Sequence, residues 1–426
     1  MKIRILIGAK VLPLLALLLI LAGCGGSSSS SGGSSKVTVT FWSRDSDASL
    51  VQPLVAAYNA SHTNQIKLTL IPANSFVTKF GSAVASGDAP DLVATDLVYT
   101  PSFASQNQLT DITAQAKALP FFDNLSHSHV RLATYQGKIY GLPFSAEGSF
   151  LLYNKDLFTK AGLDPNKPPT TWAQLENDAR AITKLGNGTY GYHMSGASGG
   201  INAFTFLPLI WASGGDILNT DGTQATLTSS PQVTAALNFY HRLWSEGVVD
   251  PGSKVDDGTN WFTGFAAGKV GMVGAGAFEL STLKTKNSNI NFEVAPLPGE
   301  NGGISSFAGG DNIVIPRGSQ HVSQAFDFMQ WNLQDAQQIG IASKNGGLPV
   351  RTDLASNQYS KADPRYITAD QAMAQGRTPY SVYYDQMVND ANSPWLKMLQ
   401  SSIFDGNISS AINTCQASFT KILSGS

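Results

Sequence analysis

Beyond the N-terminal region, short runs of β-branched and apolar residues alternate with stretches whose apolar positions recur at helical spacing. The first series predicts strands over 36–42, 66–71 and 91–95. Helices are predicted between these strands, over 50–60 and 76–86. This alternation predicts an α/β fold built on a mainly parallel sheet. Ligands of such sheets bind at the carboxyl ends of the strands, so polar residues at these ends are candidates for a binding site.

The second half of the chain continues the alternation with longer helices. Apolar residues at helical spacing predict helices over 203–212, 231–246 and 259–267. Thr171 and Gln174 are three residues apart, which predicts a capping box at the start of another helix. Further strands are predicted over 270–273, 292–297 and 312–316.

The first 23 residues have the charge and hydropathy order of a secretion signal. Lys2 and Arg4 precede an apolar run over 11–21, which is shorter than the roughly 20 residues that a membrane span needs. A Leu-Ala-Gly-Cys run ends this stretch and resembles a lipobox, in which the thiol of Cys24 is acylated. We therefore expect a signal peptide over 1–23 and lipidation of Cys24.

A flexible tether is predicted over 24–35, because every residue after Cys24 in this range is Gly or Ser. A tether between a lipid and a folded body suits a protein that works near the outer face of a membrane. We therefore expect the protein to be lipid-anchored at the extracellular face of the cell membrane. In a host with two membranes this location is the periplasm.

Composition narrows the class of protein. The chain has 426 residues, which is more than one hydrophobic core usually supports, so two lobes are expected. A formal charge of -2 leaves no basic field for nucleic acid. Of the two cysteines, Cys24 is expected to carry lipid, so Cys415 has no disulfide partner. The six histidines are scattered, and the pair His127 and His129 is typical of an exposed loop, so we predict no metal and no cofactor.

Five short motifs follow one another in the mature chain. They are Ser-Gly-Asp-Ala-Pro-Asp at 86–91, Gly-Lys-Ile-Tyr-Gly-Leu-Pro at 137–143, Leu-Tyr-Asn-Lys-Asp-Leu-Phe at 152–158, Pro-Thr-Thr-Trp at 169–172, and Phe-Ala-Ala-Gly-Lys-Val-Gly-Met at 265–272. In this order, behind a lipobox, they resemble the extracellular sugar-binding proteins of ATP-driven import systems, the family that contains maltose-binding protein. The resemblance covers nearly the whole mature chain.

This resemblance implies a two-lobed periplasmic-binding-protein fold, with the ligand in a cleft between lobes that are joined by hinge strands. The chain would cross between the lobes near 143–148 and near 298–310, where residues that can absorb a hinge rotation are frequent. The implied boundaries are an N-lobe of 36–145 plus 304–345 and a C-lobe of 146–303 plus 346–426.

A sugar presents hydroxyls around its ring and apolar C–H groups on its faces, so a binder needs planar polar groups at the edge and aromatic rings on the faces. By position, the resemblance implies that Arg44, Asp45 and Asp96 bind hydroxyls from the N-lobe. Each of the three equally fits a solvated loop charge or a helix cap. Glu147, at the first crossing, either reaches the ligand or holds the hinge.

From the C-lobe, the resemblance implies a polar contact from Asn202 and a stacking ring from Phe204. Trp211 follows on the same predicted helix, where core packing is the commoner use of such a residue. Phe278 occupies a further stacking position, after small residues that allow close approach of the backbone to a ligand. The family has a larger ring at that position, so maltose itself is not implied.

The second crossing and the C-terminal region supply the remaining candidates. At Gly309, Gly310 and Asp311 the family uses backbone N–H groups and an adjacent polar side chain. Tyr383 and Tyr384 lie in an aromatic segment that serves as a platform, with one ring expected to face the cleft and the other the core. Arg351 and Trp395 are lesser candidates.

The resemblance implies a substrate-binding lipoprotein of an ABC import system, which captures a mono- or oligosaccharide and delivers it to a membrane permease. No phosphate-binding loop occurs in the sequence, so the ATPase is expected to be a separate chain. We expect a monomer that is not an enzyme and does not bind nucleic acid.

Two alternatives stay open at this point. The same fold could carry glycerol 3-phosphate, an oligopeptide or a polyamine; a phosphate would favour Arg at helix N-termini, and a cation would favour several carboxylates beside aromatic faces. A secreted glycoside hydrolase would need a carboxyl pair drawn from Asp45, Asp96 and Glu147. No hydrolase motif accompanies these three residues.

Overall fold

A computed structural model describes residues 36–286 and 289–425. The predicted signal peptide, tether and lipidation site lie outside the described residues. The strands are β1 (Thr38–Arg44), β2 (Gln65–Ile71), β3 (Leu92–Asp96), β4 (Thr134–Tyr135), β5 (Lys138–Ile139), β6 (Gly141–Asn154), β7 (Tyr190–His193), β8 (Val270–Gly276), β9 (Phe292–Ala295), β10 (Leu297–Pro298), β11 (Ile304–Ser305) and β12 (Ala308–Val314).

Helices connect and cover these strands. They are α1 (Ala48–Ser61), α2 (Phe76–Ser86), α3 (Thr100–Ser105), α4 (Thr113–Lys117), α5 (His127–Leu132), α6 (Lys155–Lys160), α7 (Trp172–Thr183), α8 (Gly199–Ala212), α9 (Pro231–Ser245), α10 (Thr263–Ala266), α11 (Phe278–Lys286), α12 (Val322–Asn332), α13 (Asp335–Gln337), α14 (Gln358–Ala362), α15 (Pro364–Gln375), α16 (Pro394–Asp405) and α17 (Ile408–Leu423). Across the described residues, none of these helices has the length and apolar character that crossing a membrane requires.

Eight strands form one mixed sheet in the order β2-β1-β3-β12-β6-β8-β7, and β9 also pairs with β6. β1 is parallel to β2 and β3, and β7 is parallel to β8. β12 and β6 are antiparallel to their neighbours. The prediction of a mainly parallel sheet is therefore wrong at the centre. The chain reaches β6 and β12 through long connections instead of single crossover helices, and apolar patterning does not reveal strand direction.

β6 is the longest strand and holds the sheet together. Its first part, up to Gly148, pairs with β12, whereas its second part, from Ser149, pairs with β8 and β9. All of its residues are buried except Ser145 and Glu147, which are partly accessible. A strand that is buried on both faces is expected to read as a near-continuous apolar run, and the polar Glu147 interrupts that run.

Two regions differ from the sequence prediction. The helix expected over 259–267 is shorter, because Asp256 Oδ1 accepts hydrogen bonds from the backbone N–H groups of Gly258 and Asn260 and holds a turn there. β12 begins earlier than the strand expected over 312–316, inside the glycine-rich segment. Consecutive glycines are typical of a loop, but Gly309 and Gly310 pair with β6.

The capping box predicted at the start of α7 is only half formed. The Thr171 hydroxyl accepts a hydrogen bond from Gln174 N at 3.2 Å, as an N-cap does. The side chain of Gln174 accepts from the backbone N–H of Thr170 at 2.7 Å instead of from that of Thr171. The reciprocal bond therefore lies one residue earlier than in a standard capping box.

Candidate ligand-binding site

A cavity of about 790 Å³ lies where β1 and β3 end. Arg44 and Asp96, the last residues of these two strands, line one part of the cavity. The aromatic side chains of Phe204, Trp261 and Phe278 line another part. A volume of this size is typical of sites that enclose a small molecule. The cavity is therefore the candidate ligand-binding site.

One guanidinium organises the polar part of the cavity. Arg44 Nη2 lies 2.5 Å from Oδ1 of Asp311, which is fully buried on β12. Arg44 Nε donates a hydrogen bond to Asp47 Oδ2 at 3.2 Å, and Nη1 lies 3.7 Å from Asp96 Oδ2. These partners meet because β1, β3 and β12 are neighbours in the sheet, and because a 3₁₀ turn over Asp45–Asp47 returns Asp47 towards the end of β1.

Burial shifts the carboxyl pKa values in this part of the cavity upward. Burial, together with the charge of Asp311, raises the pKa of Asp47 to about 8. Burial also raises the pKa of Asp96 to about 6, although attraction to Arg44 opposes the shift. For Arg44, burial lowers the pKa, but the three carboxylates more than offset burial and raise it well above its usual value. Arg44 is therefore charged at neutral pH, and burial favours the protonated form of Asp47.

Glu147 joins the polar part of the cavity to the aromatic part. It lies on β6 opposite Gly309, and its Oε2 accepts a hydrogen bond from Phe278 N at 3.2 Å. Phe278 is the first residue of α11, where the helix dipole favours a negative charge. Burial nevertheless raises the pKa of Glu147 to about 8, and the charge of Asp47 adds to the shift. At neutral pH this carboxyl can donate a hydrogen bond as well as accept one.

The aromatic part of the cavity is a set of rings that pack against one another. The ring centroids of Trp261 and Phe278 are 5.7 Å apart, and those of Phe204 and Trp261 are 6.4 Å apart. Trp261 Nε1 donates a hydrogen bond to Gly274 O at 2.9 Å, which fixes the plane of the indole. Phe278 is 41% exposed, so part of its ring is free to contact a ligand. A Cβ at Gly276 would lie 2.5 Å from that ring, so glycine makes room for it.

A sequence model of the bacterial extracellular solute-binding protein family matches residues 42–339, which is more than half of the chain. The chain belongs to this family. Its fold is the two-lobed fold of such solute-binding proteins. The predicted lobe boundaries stay a prediction.

Named relatives and a solved structure are similar to this solute-binding protein. The diacetylchitobiose binding protein DasA of Streptomyces coelicolor is 24% identical over 83% of this chain and 83% of its own length. A maltooligosaccharide ABC transporter solute-binding lipoprotein of Streptococcus pneumoniae R6 is 24% identical over 76% of this chain and 75% of its own. The crystal structure of an ABC transporter solute-binding protein from Thermotoga lettingae, bound with α-D-tagatose, superposes with a TM-score of 0.81 at 24% identity. That match covers 91% of this chain and 100% of the other, and it shows the fold.

Eight of the thirteen residues predicted to bind ligand line the cavity of this solute-binding protein. They are Arg44, Asp96, Glu147, Phe204, Phe278, Gly309, Gly310 and Tyr384. Asp311 does not line the cavity but is ion-paired to Arg44 behind it. Tyr384, and not its neighbour Tyr383, is the ring of that pair that reaches the cavity. Contact of each with a ligand stays a prediction.

Asp45 lies outside the cavity of the solute-binding protein. Its Oδ1 accepts a hydrogen bond from the backbone N–H of Ala73 at 3.0 Å, at an exposed position. Asp47 takes the place expected for Asp45, because the 3₁₀ turn brings the side chain of Asp47 back to Arg44. Both aspartates lie in one polar run of the sequence at 43–47, and only the turn determines which of them lines the cavity.

Three further candidates have roles in packing. The amide of Asn202 donates hydrogen bonds to the carbonyl oxygens of Ser195 and Ser198, at 2.6 and 2.7 Å, and ties down the start of α8. Trp211 stacks on Phe307 with ring centroids 6.0 Å apart and lies outside the cavity lining. The ring of Tyr383 packs against a hydrophobic core.

The two lesser candidates of the sequence analysis also lie outside the cavity. Arg351 is buried and forms ion pairs with Asp335 and Asp353. Trp395 is fully buried, and its Nε1 donates a hydrogen bond to Gly199 O at 3.2 Å.

Sequence reasoning missed Trp261. It had been placed inside a predicted helix, where a tryptophan is normally a core residue, and the turn that ends at Asn260 instead directs it to the cavity. The available signal was the Asp-Asp-Gly run at 256–258, which is typical of a turn.

Proposed function

We propose that this solute-binding protein captures a carbohydrate in the cavity and delivers it to a membrane permease that works with a separate ATPase. The observation that carries the proposal is the pairing, in one cavity, of planar polar groups with an accessible aromatic ring. Arg44, Asp96 and Glu147 supply donors and acceptors for hydroxyls. Phe278 supplies an apolar face for the C–H groups of a sugar ring.

The relatives support a carbohydrate as the cargo. The names of two similar proteins specify diacetylchitobiose and maltooligosaccharide, and a protein of the same fold was crystallised with tagatose. Glycerol 3-phosphate is less well matched by this cavity. Among the described lining residues Arg44 is the one cation, and its guanidinium already lies against the carboxyl groups of Asp47, Asp96 and Asp311.

A thermal-shift screen of the purified protein against mono- and oligosaccharides, polyols, glycerol phosphates and polyamines tests the proposal. A ligand that binds only the folded state adds about 2.7 kcal/mol of stability at a hundredfold excess over Kd, so a sugar cargo raises Tm visibly. The bound sugar is expected to be recovered intact. A rise in Tm with non-sugar compounds alone would contradict carbohydrate capture, and a cleaved sugar would favour a glycoside hydrolase.

We further propose that the protein is held at the outer face of the membrane by a lipid on Cys24, as the lipobox-like run before it implies. Cys24→Ser removes the thiol that is acylated, so the secreted protein is expected to leave the membrane fraction and appear in the soluble fraction. Cell fractionation with immunoblotting measures the change, and Cys415→Ser is the matched control. Equal membrane retention of the Cys24→Ser variant would contradict the anchor.

A further inference from the structure

The cavity carries more negative groups than positive ones. Among its described lining residues, Arg44 is the one cation, whereas Asp47, Asp96 and Glu147 are carboxyls. A fourth carboxyl, Asp311, lies directly behind Arg44. This region therefore holds one guanidinium and four carboxyl groups, of which Asp47, Asp96 and Asp311 contact Arg44.

His129 does not correct this imbalance; it is buried on α5, so the prediction that it lies in an exposed loop is wrong. The ring of His129 contacts Ser126 Oγ and the carbonyl oxygen of Ser145, both at 2.8 Å. Burial lowers the pKa of His129 to about 4, so the ring is neutral at physiological pH. Both ring nitrogens of His129 have hydrogen-bond partners, but the neutral ring adds no positive charge near Asp311.

Asp311 contacts both Arg44 and Asp47. Its Oδ1 lies against Arg44, and a hydrogen bond between the carboxyl groups of Asp311 and Asp47 adds to the rise in the pKa of Asp47. Among the described residues, no N–H or hydroxyl group donates to the buried Oδ2 of Asp311. Its charge raises the pKa of both Asp47 and Glu147, after the larger effect of burial. The cavity wall thus has more carboxyl groups than its one guanidinium can offset, and burial favours the protonated forms of Asp47 and Glu147.

Glu147 is the carboxyl group that lies next to the aromatic part of the cavity. Glu147 accepts its hydrogen bond from the backbone N–H of Phe278, so the carboxyl and the accessible ring belong to adjacent groups of the cavity wall. Trp261 extends the aromatic surface from Phe278. A carboxylate beside aromatic faces is a combination that attracts an ammonium group, through direct charge attraction and through the negative face of the ring.

We infer that the captured carbohydrate carries a basic amine, and that the carboxylates of Asp47 and Glu147 hold its ammonium group beside Phe278. The inference rests on the proposed function, since it names the class of sugar that the same cavity accepts. Arg44 and Asp96 remain for the hydroxyls. The ammonium adds a positive charge beside these carboxyl groups, which lowers their pKa values, so we expect protons to be released when the amino sugar binds.

Matched sugar sets test this inference by isothermal titration calorimetry. Glucose, galactose and mannose are each compared with their 2-amino and 2-acetamido forms, and cellobiose is compared with the β-1,4 dimers of glucosamine and N-acetylglucosamine. We expect at least one amino form to bind tenfold or more tightly than its hydroxyl and acetamido counterparts. Titration in buffers of different ionisation enthalpy is expected to show proton release with the amino form, at a pH where the sugar amine is charged.

Substitution of Glu147 tests whether its charge causes the preference for the amino form. Glu147→Gln keeps the shape and removes the charge, so it is expected to reduce the preference for the amino form by tenfold or more. Glu300→Gln changes an exposed glutamate outside the cavity and is expected to leave the preference unchanged. A preference that survives Glu147→Gln overturns the role of this carboxyl.

The outcomes distinguish this inference from the proposed function. If sugars bind but no amino form of any matched set binds tenfold more tightly than its hydroxyl and acetamido counterparts, the inference is overturned and carbohydrate capture stands. If spermidine binds and no sugar does, the carbohydrate proposal and the inference fall together. The same holds if neither spermidine nor any sugar of the matched sets or the wider screen binds.

Discussion

Asp370 shows how strongly burial raises the pKa of a single carboxyl group outside the cavity. It lies on α15, its side chain is 3% exposed, and neither of its carboxyl oxygens has a hydrogen-bond partner. Burial raises the pKa of Asp370 to about 8. The folded protein therefore keeps a neutral carboxylic acid here, because ionising it would leave an unpaired charge in an apolar setting.

Asp370→Asn removes this ionisation with little change of shape. In the unfolded chain the aspartate ionises near its ordinary pKa of about 4, so the free energy of unfolding of the wild type falls as pH rises from about 4 to about 8. We expect the variant to equal the wild type near the acid end of this window and to be more stable by on the order of 5 kcal/mol above it, since each pKa unit of the shift corresponds to about 1.4 kcal/mol. Urea denaturation at several pH values measures the difference. Asp88→Asn, at an exposed position, is the control, and a pH-independent difference would contradict the explanation.

Phe278 offers the clearest residue-scale test of the aromatic part of the cavity. Because its ring is 41% exposed but also packs against Trp261, Phe278→Ala removes ligand contact together with part of this ring packing. We expect affinity for the cargo to fall roughly tenfold and Tm to fall by only a few degrees. Val255→Ala, at a position 77% exposed and outside the cavity, is expected to change neither the affinity for the cargo nor Tm. Unchanged affinity in Phe278→Ala would exclude a stacking role.

At the scale of elements, the pairing of β12 with β6 positions most of the cavity. It places Gly309 opposite Glu147 and Gly310 opposite Ala146, with an irregular register after Asp311. Gly310 has φ of 114°, and a Cβ there would lie 2.0 Å from Ser145 O. The close approach of the β12 and β6 backbones brings Asp311 within reach of Arg44. Gly310 is therefore needed for the ion pair between Arg44 and Asp311 as well as for the pairing of the two strands.

Gly310→Ala is expected to be strongly destabilising because it adds a backbone clash to an unfavourable φ. The loss should be about 3 kcal/mol or more, measured by urea denaturation. Gly87→Ala provides the comparison, since Gly87 also has positive φ, of 81°, but open space around its Cβ position. That variant should lose only about 1 kcal/mol. Equal losses in the two variants would show that the clash is relieved by movement of β6.

At the scale of the whole molecule, the described part of the chain is stabilised without a disulfide. Cys415 is a free cysteine on α17, 1% exposed, within a large hydrophobic core. Burial raises the pKa of its thiol well above the usual range. The thiol is therefore protected from reagents by burial and by its protonation state together.

Alkylation of Cys415 is expected to report on global unfolding. In the native protein, iodoacetamide should label it slowly, at a rate that rises with urea and falls when cargo is bound. Mass spectrometry of the intact protein measures the labelling. Ser409→Cys, at an exposed position on the same helix, should label rapidly whether cargo is present or not. Fast labelling of native Cys415 would show that α17 opens locally.

The sequence predicted the first βαβ units and the polar residues at their strand ends, because apolar periodicity and strand ends are local properties. Arg44 and Asp96 were found in this way and line the cavity. Asp47 and Trp261 were missed, since a single turn in each case decides which side chain faces inward. A strand was predicted over 312–316, but the antiparallel direction of β12 and its place at the centre of the sheet were missed, because its partners lie far away in sequence.

The position of β12 affects how the chain folds as it is made. β3 ends at Asp96, yet the strand that pairs with it begins only at Ala308. The N-terminal strands therefore have an unfinished edge until most of the chain has been synthesised. Pairings between such distant residues slow folding. For a chain with a predicted secretion signal this delay is useful, since it leaves time for export before the central sheet closes.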